Sequence, residues 1–544
     1  MRNAEVAAML NRVADLLEIK GENFFKIRAY REAVRQLDNL TTEVEELIHE
    51  GKLKDVPGIG PAIEQKITEF VTSGQLEFLA RLEAEIPPAL LELTRVPGLG
   101  PRTARDIYDA LGVLSLEELE AAARSHRLLK VRGIKAKTAE NILKGLAQLK
   151  RTEGRIYFPE AWILADSFLA TLRSLPGVLR AEIAGSVRRV RETVRDLDLL
   201  VVSDEPEAMG GEFAHLPQVN EVISQASSTA TIRVRSGMQV DLRAVKPESF
   251  GAAWQVFTGS PAHNAQLQAR AEGLGKLTIT ATGVFNADGT RIAGATEEEV
   301  FEAVGCAWIP PELREGWGEI ELAAKGAVPT LVQQRDLRGD LHTHSNWSDG
   351  RNEIAVMARA ARERGYAYLA MTDHTQSLQI AQGLTPERFR QRVGEIAAVN
   401  AGGGAARVLN GAEVDILPDG SLDLPDDCLA SLDIVVASVH TALDQPRAVI
   451  TERVLAALRS LEINSSPWRL DLNDSWARRA REAGAILAID TDAHYPAEFD
   501  SVRYGCAIAR RAGLSPDRIL NTRDADGLLA HCQAKAARPV ANFR

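Results

Sequence analysis

Long apolar runs are missing from this chain. No stretch approaches the roughly 18 apolar residues that a membrane helix requires, so no membrane partner is expected. The opening segment, MRNAEVAAMLNRVADLLEIKGENFF, is charged and amphipathic, without the apolar region of a secretory leader. Cysteine is scarce. Cys306, Cys428, Cys506 and Cys532 form no Cys-x-x-Cys pair, which predicts a reducing, cytoplasmic setting. A general excess of positive charge is absent as well. The net charge of −11 argues against indiscriminate nucleic-acid binding, though it leaves room for a local site. What is present suits a large enzyme: 544 residues, 45% of them hydrophobic, predict about three or four domains.

The most informative stretch reads AEIAGSVRRVRETVRDLDLLVV. Gly185-Ser186 is followed by Asp196-Leu197-Asp198 on an apolar run, and Asp241 follows in MQVDLRAV. Residues i and i+2 of a strand share a face, so Asp196 and Asp198 are expected to project together beside Asp241 on a neighbouring strand. Three crowded carboxylates repel one another unless a cation neutralises them. Magnesium or manganese suits oxygen ligands and substrate phosphates, and two such ions stabilise both oxygens of a phosphoryl displacement. Gly185 and Ser186 offer backbone amides and a hydroxyl to a triphosphate, and Arg188 or Arg189 offers charge. A lone Asp-x-Asp is common by chance; the full combination points to nucleotidyl transfer.

A repeat organises the first third. DVPGIGPAIEQKITEF (55–70) and RVPGLGPRTARDIYDA (95–110) share one pattern, and KVRGIKAKTAENILKG (130–145) is a weaker copy with Lys135 at the second glycine. Gly58, Gly60, Gly98, Gly100 and Gly133 permit positive φ and let a phosphate approach backbone N–H groups at a helix N-terminus. From Arg124 to Arg155 stand ten Lys or Arg against two acidic residues, a charge run that calls for a polyanion.

Five of the ten histidines mark the last third. RGDLHTHSNWSDG sets His342 and His344 two apart, with Asp349 beyond; TDH, GAEVDIL, SVH and DTDAH follow apolar runs separated by helical patterns. Histidine and carboxylates recurring at strand C-termini are what a βα barrel metal site requires. Such ligands suit zinc or manganese, and their number suggests more than one ion.

The Gly-Ser and Asp-x-Asp pattern, followed by WQVFTGSPAHNAQL and TEEEVFEAVGCAWIPPELREGWGEIELA, resembles the family X DNA polymerases. That resemblance implies that Phe257, Thr258 and Gly259 contact the sugar and that Asn264 contacts the minor-groove edge of the incoming base. Val256 stands where bacterial members usually carry Tyr, and Gln268 where they usually carry Arg. The repeats resemble helix-hairpin-helix motifs, which bind DNA backbone. Residues 1–85 resemble the family's small N-terminal domain: Lys66 aligns with its lyase lysine, and Lys26 and Tyr30 with its 5′-phosphate pocket. A second lysine often found there is replaced by Ala62. The last third is similar to the PHP (polymerase and histidinol phosphatase) domain, which implies His342, His344, His374, Glu413, His440, Asp492 and His494 as ligands of up to three ions, with Asp349 adjacent. The family's motif with a further ligand histidine, between the SVH strand and LEINSSPWRLDL, has no counterpart. Either this chain has lost those elements, which would leave the metal cluster incomplete and weaken hydrolysis, or a segment is missing between Ser460 and Leu461; family character on both sides of the junction favours the second.

The expected architecture is multidomain, with motifs in family order along nearly the whole chain: a lyase-like helical domain (1–85), a second, fingers-like helix-hairpin-helix region (86–150), an antiparallel α+β nucleotidyltransferase palm (151–245), a thumb (246–322), a linker (323–337) and a distorted βα barrel (338–544). The function this implies is gap-filling DNA synthesis in repair, on gapped or nicked DNA with deoxynucleoside triphosphates. The barrel is expected to trim 3′ ends, the protein to be a monomer, and its place to be the cytoplasm at the nucleoid. Two rivals are a DNA-end-binding scaffold with degenerate sites, disfavoured by the intact Asp196, Asp198 and Asp241, and a barrel acting on a small phosphoester, disfavoured by fusion to DNA-binding hairpins.

Overall fold

The computed structural model describes residues 3–38, 44–49, 51–56, 58–131, 133–152, 154–443, 445–457, 460–467 and 469–536. The chain divides into two compact units, Met1–Glu153 and Gly154–Arg544.

The first unit is helical, and turn chemistry sets its hairpins. Gly58 and Gly98 both sit at φ +81° and Gly133 at +89°, in the left-handed region that disfavours a side chain. Gly60 and Gly100 then cap α1 (Pro61–Ser73) and α2 (Pro101–Leu111) with extended backbone. Each helix begins with proline, whose missing N–H would have no partner there anyway. The third turn leads into α3 (Ala136–Thr152). Ile63 and Ile67 of α1 and Ala104 and Ile107 of α2 recur at helical spacing and enter one apolar core with Leu10, Leu17 and Ile142.

The second unit opens with α4 (Phe158–Arg173) against a five-stranded sheet. Its strands are β1 (Val178–Ile183), β2 (Asp196–Ser203), β3 (Glu221–Gln225), β4 (Thr229–Arg233) and β5 (Gln239–Val245), in the order β1-β2-β5-β4-β3. The palm is not purely antiparallel as expected: β2 and β5 run parallel. The reason is the connection between them, which passes through a helix (Pro206–Ala214) and the β3–β4 hairpin before returning in the same direction. Leu197 and Leu199 point into the core, so Asp196 and Asp198 share the opposite face. Next come α5 (Phe250–Thr258) and α6 (Pro261–Gly273), joined only by Gly259 and Ser260. The stretch expected as a linker is packed instead: Leu331, Val332 and Leu337 are buried, and the Val332 N–H donates to the Leu514 carbonyl at 2.9 Å.

The C-terminal part holds β6 (Gly339–Thr343), β7 (Tyr368–Met371), β8 (Arg407–Asp415), β9 (Ile434–Ser438), β10 (Leu461–Asn464) and β11 (Leu487–Asp490). All pair in parallel, as β6-β7-β8-β9 and β10-β11, and a parallel bridge from Thr343 to Ala493 joins the two sets. Leu461 follows Ser460 directly, so the expected missing segment is not found. Instead the barrel is shorter than the family pattern, and it stays open: no pairing joins β9 to β10 among the described residues. β9 shows the consequence. Every residue of β8 except Arg407 is buried, whereas Val435 of β9 is 41% exposed. Helices α7 (Asp474–Glu482) and α8 (Val502–Arg511) flank β11 in sequence. Tyr504 of α8 lies edge-on to Phe158 of α4, 6.0 Å between ring centres, and belongs to the core beneath the palm sheet.

Candidate active sites

The palm site rests on strand register. Asp198 of β2 lies directly opposite Asp241 of β5, and Asp196 stands two residues before Asp198 on the same face. Asp241 is held by the Thr231 hydroxyl (2.5 Å) and the Gln239 amide (2.8 Å). Burial, then the charges of Asp196 and Asp241, push the Asp198 carboxyl up to about 7. A divalent cation relieves that repulsion, so this donor set fits magnesium or manganese. Gly185 sits at φ +60°, and a Cβ there would lie 1.9 Å from Asp198 Oδ2. The glycine of the Gly-Ser pair is therefore required by contact with a carboxylate as well as by its turn.

Beside the triad opens a cleft of about 430 Å³ lined by Arg155, Ser186, Arg189, Arg191, Arg195, Asp196, Ser260, Pro261 and Glu315. Four arginines and two serine hydroxyls suit a polyphosphate. Arg189 Nε donates to Glu315 Oε1 (2.9 Å) and Nη1 to the Thr258 carbonyl (2.7 Å). Arg188 turns away from the cleft, into a fork on Glu297 (2.7 and 2.8 Å) with its guanidinium 3.3 Å from the centre of the Trp254 ring. Burial would raise Glu297, but Arg314 and Arg188 bring it down to about 2.

The Phe-Thr-Gly turn is held by hydrogen bonds within the protein. The Thr258 hydroxyl accepts from Arg188 at 2.8 Å. The Asn264 amide donates to the Val256 carbonyl (2.8 Å) and accepts from Gln255 (3.0 Å), so it braces the turn. Gly259 makes room for it: a Cβ there would lie 2.2 Å from Asn264 Oδ1. Gln268 is likewise engaged, accepting from the Ile279 N–H at 2.9 Å. Phe257 remains half-buried under the Arg243 guanidinium, 4.4 Å from its ring centre.

The barrel brings all eight expected ligands together. Glu413 on β8 is the hub: its Oε2 lies 2.9 Å from His374 Nδ1, 3.3 Å from His342 Nε2 and 3.6 Å from His344 Nε2, while Oε1 lies 3.4 Å from His440 Nε2. Asp492 Oδ1 reaches His344 Nε2 at 3.2 Å, and Asp349 Oδ2 reaches His374 and His494, both at 3.5 Å. Asp492 adopts φ +57°, a left-handed backbone that an aspartate tolerates better than most residues. Three sets of ligand atoms lie within 4.8 Å: His344, Asp349, His374 and His494; His342, His344 and Glu413; His374, Glu413 and His440. Atoms bound to one zinc at about 2.1 Å stand within about 4.2 Å of each other, so each set needs only a small inward shift to hold an ion. His342 Nε2, both His344 ring nitrogens and His374 Nδ1 are buried without a hydrogen bond, as metal ligands would be.

Electrostatics agree. Burial opposes charge on His374 and His494, yet Asp349, with Glu413 for His374, raises them to about 10 and about 9. Burial and the neighbouring His494 and His374 lower His344. Sequence patterns did not single out Glu462, whose two oxygens both lie 3.1 Å from His342 Nδ1 and fix that ring from behind. Only its place two residues before Asn464 on a strand signalled it. Arg155, Arg191, Arg195 and Glu315 were also missed in the palm, although the arginine run between Ser186 and Asp196 was visible.

In the first unit, Lys66 Nζ donates to the Ala62 carbonyl at 3.0 Å and lies 4.9 Å from the centre of the Phe78 ring, near Lys26 and Arg81. Burial lowers its pKa, Glu69 opposes that, and Lys26 and Arg81 lower it further. Tyr30 is 4% exposed and part of the core; Lys26 is the exposed member of that pair.

Comparison with known proteins follows the same division. A helix-hairpin-helix domain matches residues 1–76, a SAM-like helix-hairpin-helix tandem 90–148, the DNA polymerase beta thumb 253–315 and the PHP domain 340–477. The DNA polymerase/3′-5′ exonuclease PolX of Bacillus subtilis is 32% identical over 563 positions, covering 96% of this chain and 98% of that protein. Those positions outnumber the 544 residues here, so the relative carries residues this chain lacks. A DNA polymerase lambda of Arabidopsis thaliana is 23% identical over 57% of this chain and 62% of its own length. A "Probable phosphatase" of Thermoanaerobacter sp. is 27% identical over 225 residues, 34% of this chain and 89% of its own.

Proposed function

This chain belongs to the family X DNA polymerases that end in a PHP domain, and from that membership we propose a repair enzyme that fills short DNA gaps and trims 3′ ends. The observation that carries synthesis is the register of Asp198 against Asp241 beside an arginine-lined cleft. Asp196, Asp198 and Asp241 would hold magnesium or manganese, which lowers the pKa of the primer 3′-hydroxyl and stabilises charge on the departing pyrophosphate. Ser186, Arg189 and the other cleft arginines bind the triphosphate, and Asp241 is oriented by Thr231 and Gln239. The hairpins at Gly58, Gly98 and Gly133 take DNA backbone, and Lys66, with its lowered pKa, attacks an abasic sugar as a lyase nucleophile. In the barrel, the eight clustered ligands would hold zinc or manganese, up to three ions, which supply a hydroxide for phosphodiester hydrolysis at neutral pH. Glu462 fixes the His342 ring for that task. The protein acts as a monomer on gapped or nicked DNA, and its substrate places it at the nucleoid in the cytoplasm.

Primer extension on gapped DNA, with magnesium and with manganese, tests the assignment. Asp198→Ala is expected to abolish nucleotide addition and keep 3′-trimming; His344→Ala is expected to do the reverse. A variant losing both activities, or Asp198→Ala extending at the normal rate, overturns the division of labour.

A further inference from the structure

Arg511 belongs to the hydrolytic domain, yet its contacts lead into the palm cleft. It ends α8 and is 2% exposed. Its Nη1 donates to Glu315 Oε1 and to the Arg189 carbonyl, both at 2.9 Å. Its Nε donates to Asp474 Oδ2 on α7 at 2.5 Å. Glu315 Oε1 accepts at the same time from Arg189 Nε at 2.9 Å, so two arginines from different domains share one carboxylate oxygen. Burial would raise the Glu315 pKa, but Arg189 and Arg511 hold it low, so the carboxylate stays charged between them. Arg189 is thus fixed by Glu315 and by the Thr258 carbonyl, while its Nη2 donates to no described residue.

We propose that Arg511 is a positioning residue for nucleotide binding: the PHP domain sets the direction of Arg189 in the palm cleft by sharing Glu315 with it. The proposal rests on the reading of that cleft as the triphosphate site. Arg191 stands farther off, its Nη1 3.8 Å from Glu315 Oε2, so without Arg511 the charge on Oε1 falls on Arg189, and the Arg189 backbone loses a donor. A buried carboxylate that loses one of its cations binds the nearest remaining one more closely, at the expense of a triphosphate competing for the same guanidinium. The loss belongs to nucleotide affinity, because neither group touches the three aspartates.

A neighbouring ion pair supplies the control. Arg510 also crosses to the polymerase part, with Nε on Glu312 Oε1 at 2.7 Å, but it makes no contact with Glu315 or Arg189. The test is steady-state gap filling with one deoxynucleoside triphosphate by full-length Arg511→Gln, Arg510→Gln, Asp474→Asn and Arg189→Ala proteins, with 3′-trimming measured in parallel. Arg511→Gln is expected to raise KM for the nucleotide about tenfold, with kcat within about twofold of wild type and trimming unchanged, while Arg510→Gln leaves KM alone. Asp474→Asn keeps Arg511 but removes its barrel anchor; it is expected to raise KM about threefold and serves if Arg511→Gln does not fold. An unchanged KM in Arg511→Gln, or an equal rise in Arg510→Gln, overturns the relay. If Arg189→Ala leaves KM unchanged, the cleft assignment fails instead, and the two failures are told apart.

Discussion

Two residues show what a strand pattern reveals and what it hides. The pairing of Asp196 and Asp198 on one face follows from period two, and the apolar run ahead of Asp241 marks its strand, so the triad was legible. The reason for Gly185 was not, because it depends on Asp198 folding back against it. Gly185→Ala should place a methyl on that carboxylate in a left-handed backbone; primer extension is expected to fall at least a hundredfold while 3′-trimming is kept. The choice between Arg188 and Arg189 stayed open for a related cause: Glu297, which takes Arg188, lies 109 residues away in sequence, and the carbonyls that brace Asn264 carry no sequence signal. Asp198 also gives a pH dependence. Its folded pKa of about 7 lies above the usual carboxylate value, so the metal-free protein is stabilised by the proton at low pH and loses that contribution as pH rises through 7. A metal ion must displace the proton below 7. Magnesium affinity of a His344→Ala protein, read by calorimetry, is therefore expected to fall roughly fivefold from pH 7 to pH 6, and to change much less from pH 8 to pH 9.

Among elements, the hairpins were the most legible, since Pro-Gly-x-Gly-Pro states both the turn and the first helical residue. The three turns nevertheless differ in surroundings. A Cβ on Gly98 or Gly133 meets nothing within 4 Å, whereas on Gly58 it meets Glu32 Cγ at 3.0 Å. Gly98→Val is thus expected to weaken binding to gapped DNA severalfold at a stability cost of about 1–2 kcal/mol from positive φ. Gly58→Val adds a collision and should lower the melting temperature further; band shifts and thermal melts on both variants separate the two effects. The strands that carry the three aspartates were placed correctly from their patterns, but the parallel direction of that one pair was not. Alternation shows which face is buried and carries no information on whether a neighbour runs parallel.

Across the whole molecule, the order of domains was readable because each carries its own chemistry, and the open barrel was not. A segment absent from the chain looks the same as one omitted, and only the lack of a β9–β10 pairing among the described residues marks the break in the ring. The ligand cluster is assembled without that segment. With His374 at about 10 and His494 at about 9, both rings carry protons at pH 8, whereas a metal ligand must be neutral. Zinc or manganese loading of an Asp198→Ala protein is therefore expected to release about two protons from these rings, as buffers of different ionisation heat would reveal by calorimetry. No release would mean that these histidines are not ligands. The placement of Tyr504 bears on inheritance. A gene fusion usually leaves a seam at which its parts come apart again, but here Tyr504 of the barrel completes the interior beneath the palm, and the stretch between the two enzymes is pinned by buried Leu331, Val332 and Leu337. Any descendant that sheds the nuclease must first refill the hole it leaves in the polymerase, so loss of the nuclease activity is open to this lineage by point mutation at the ligands long before it is open by truncation.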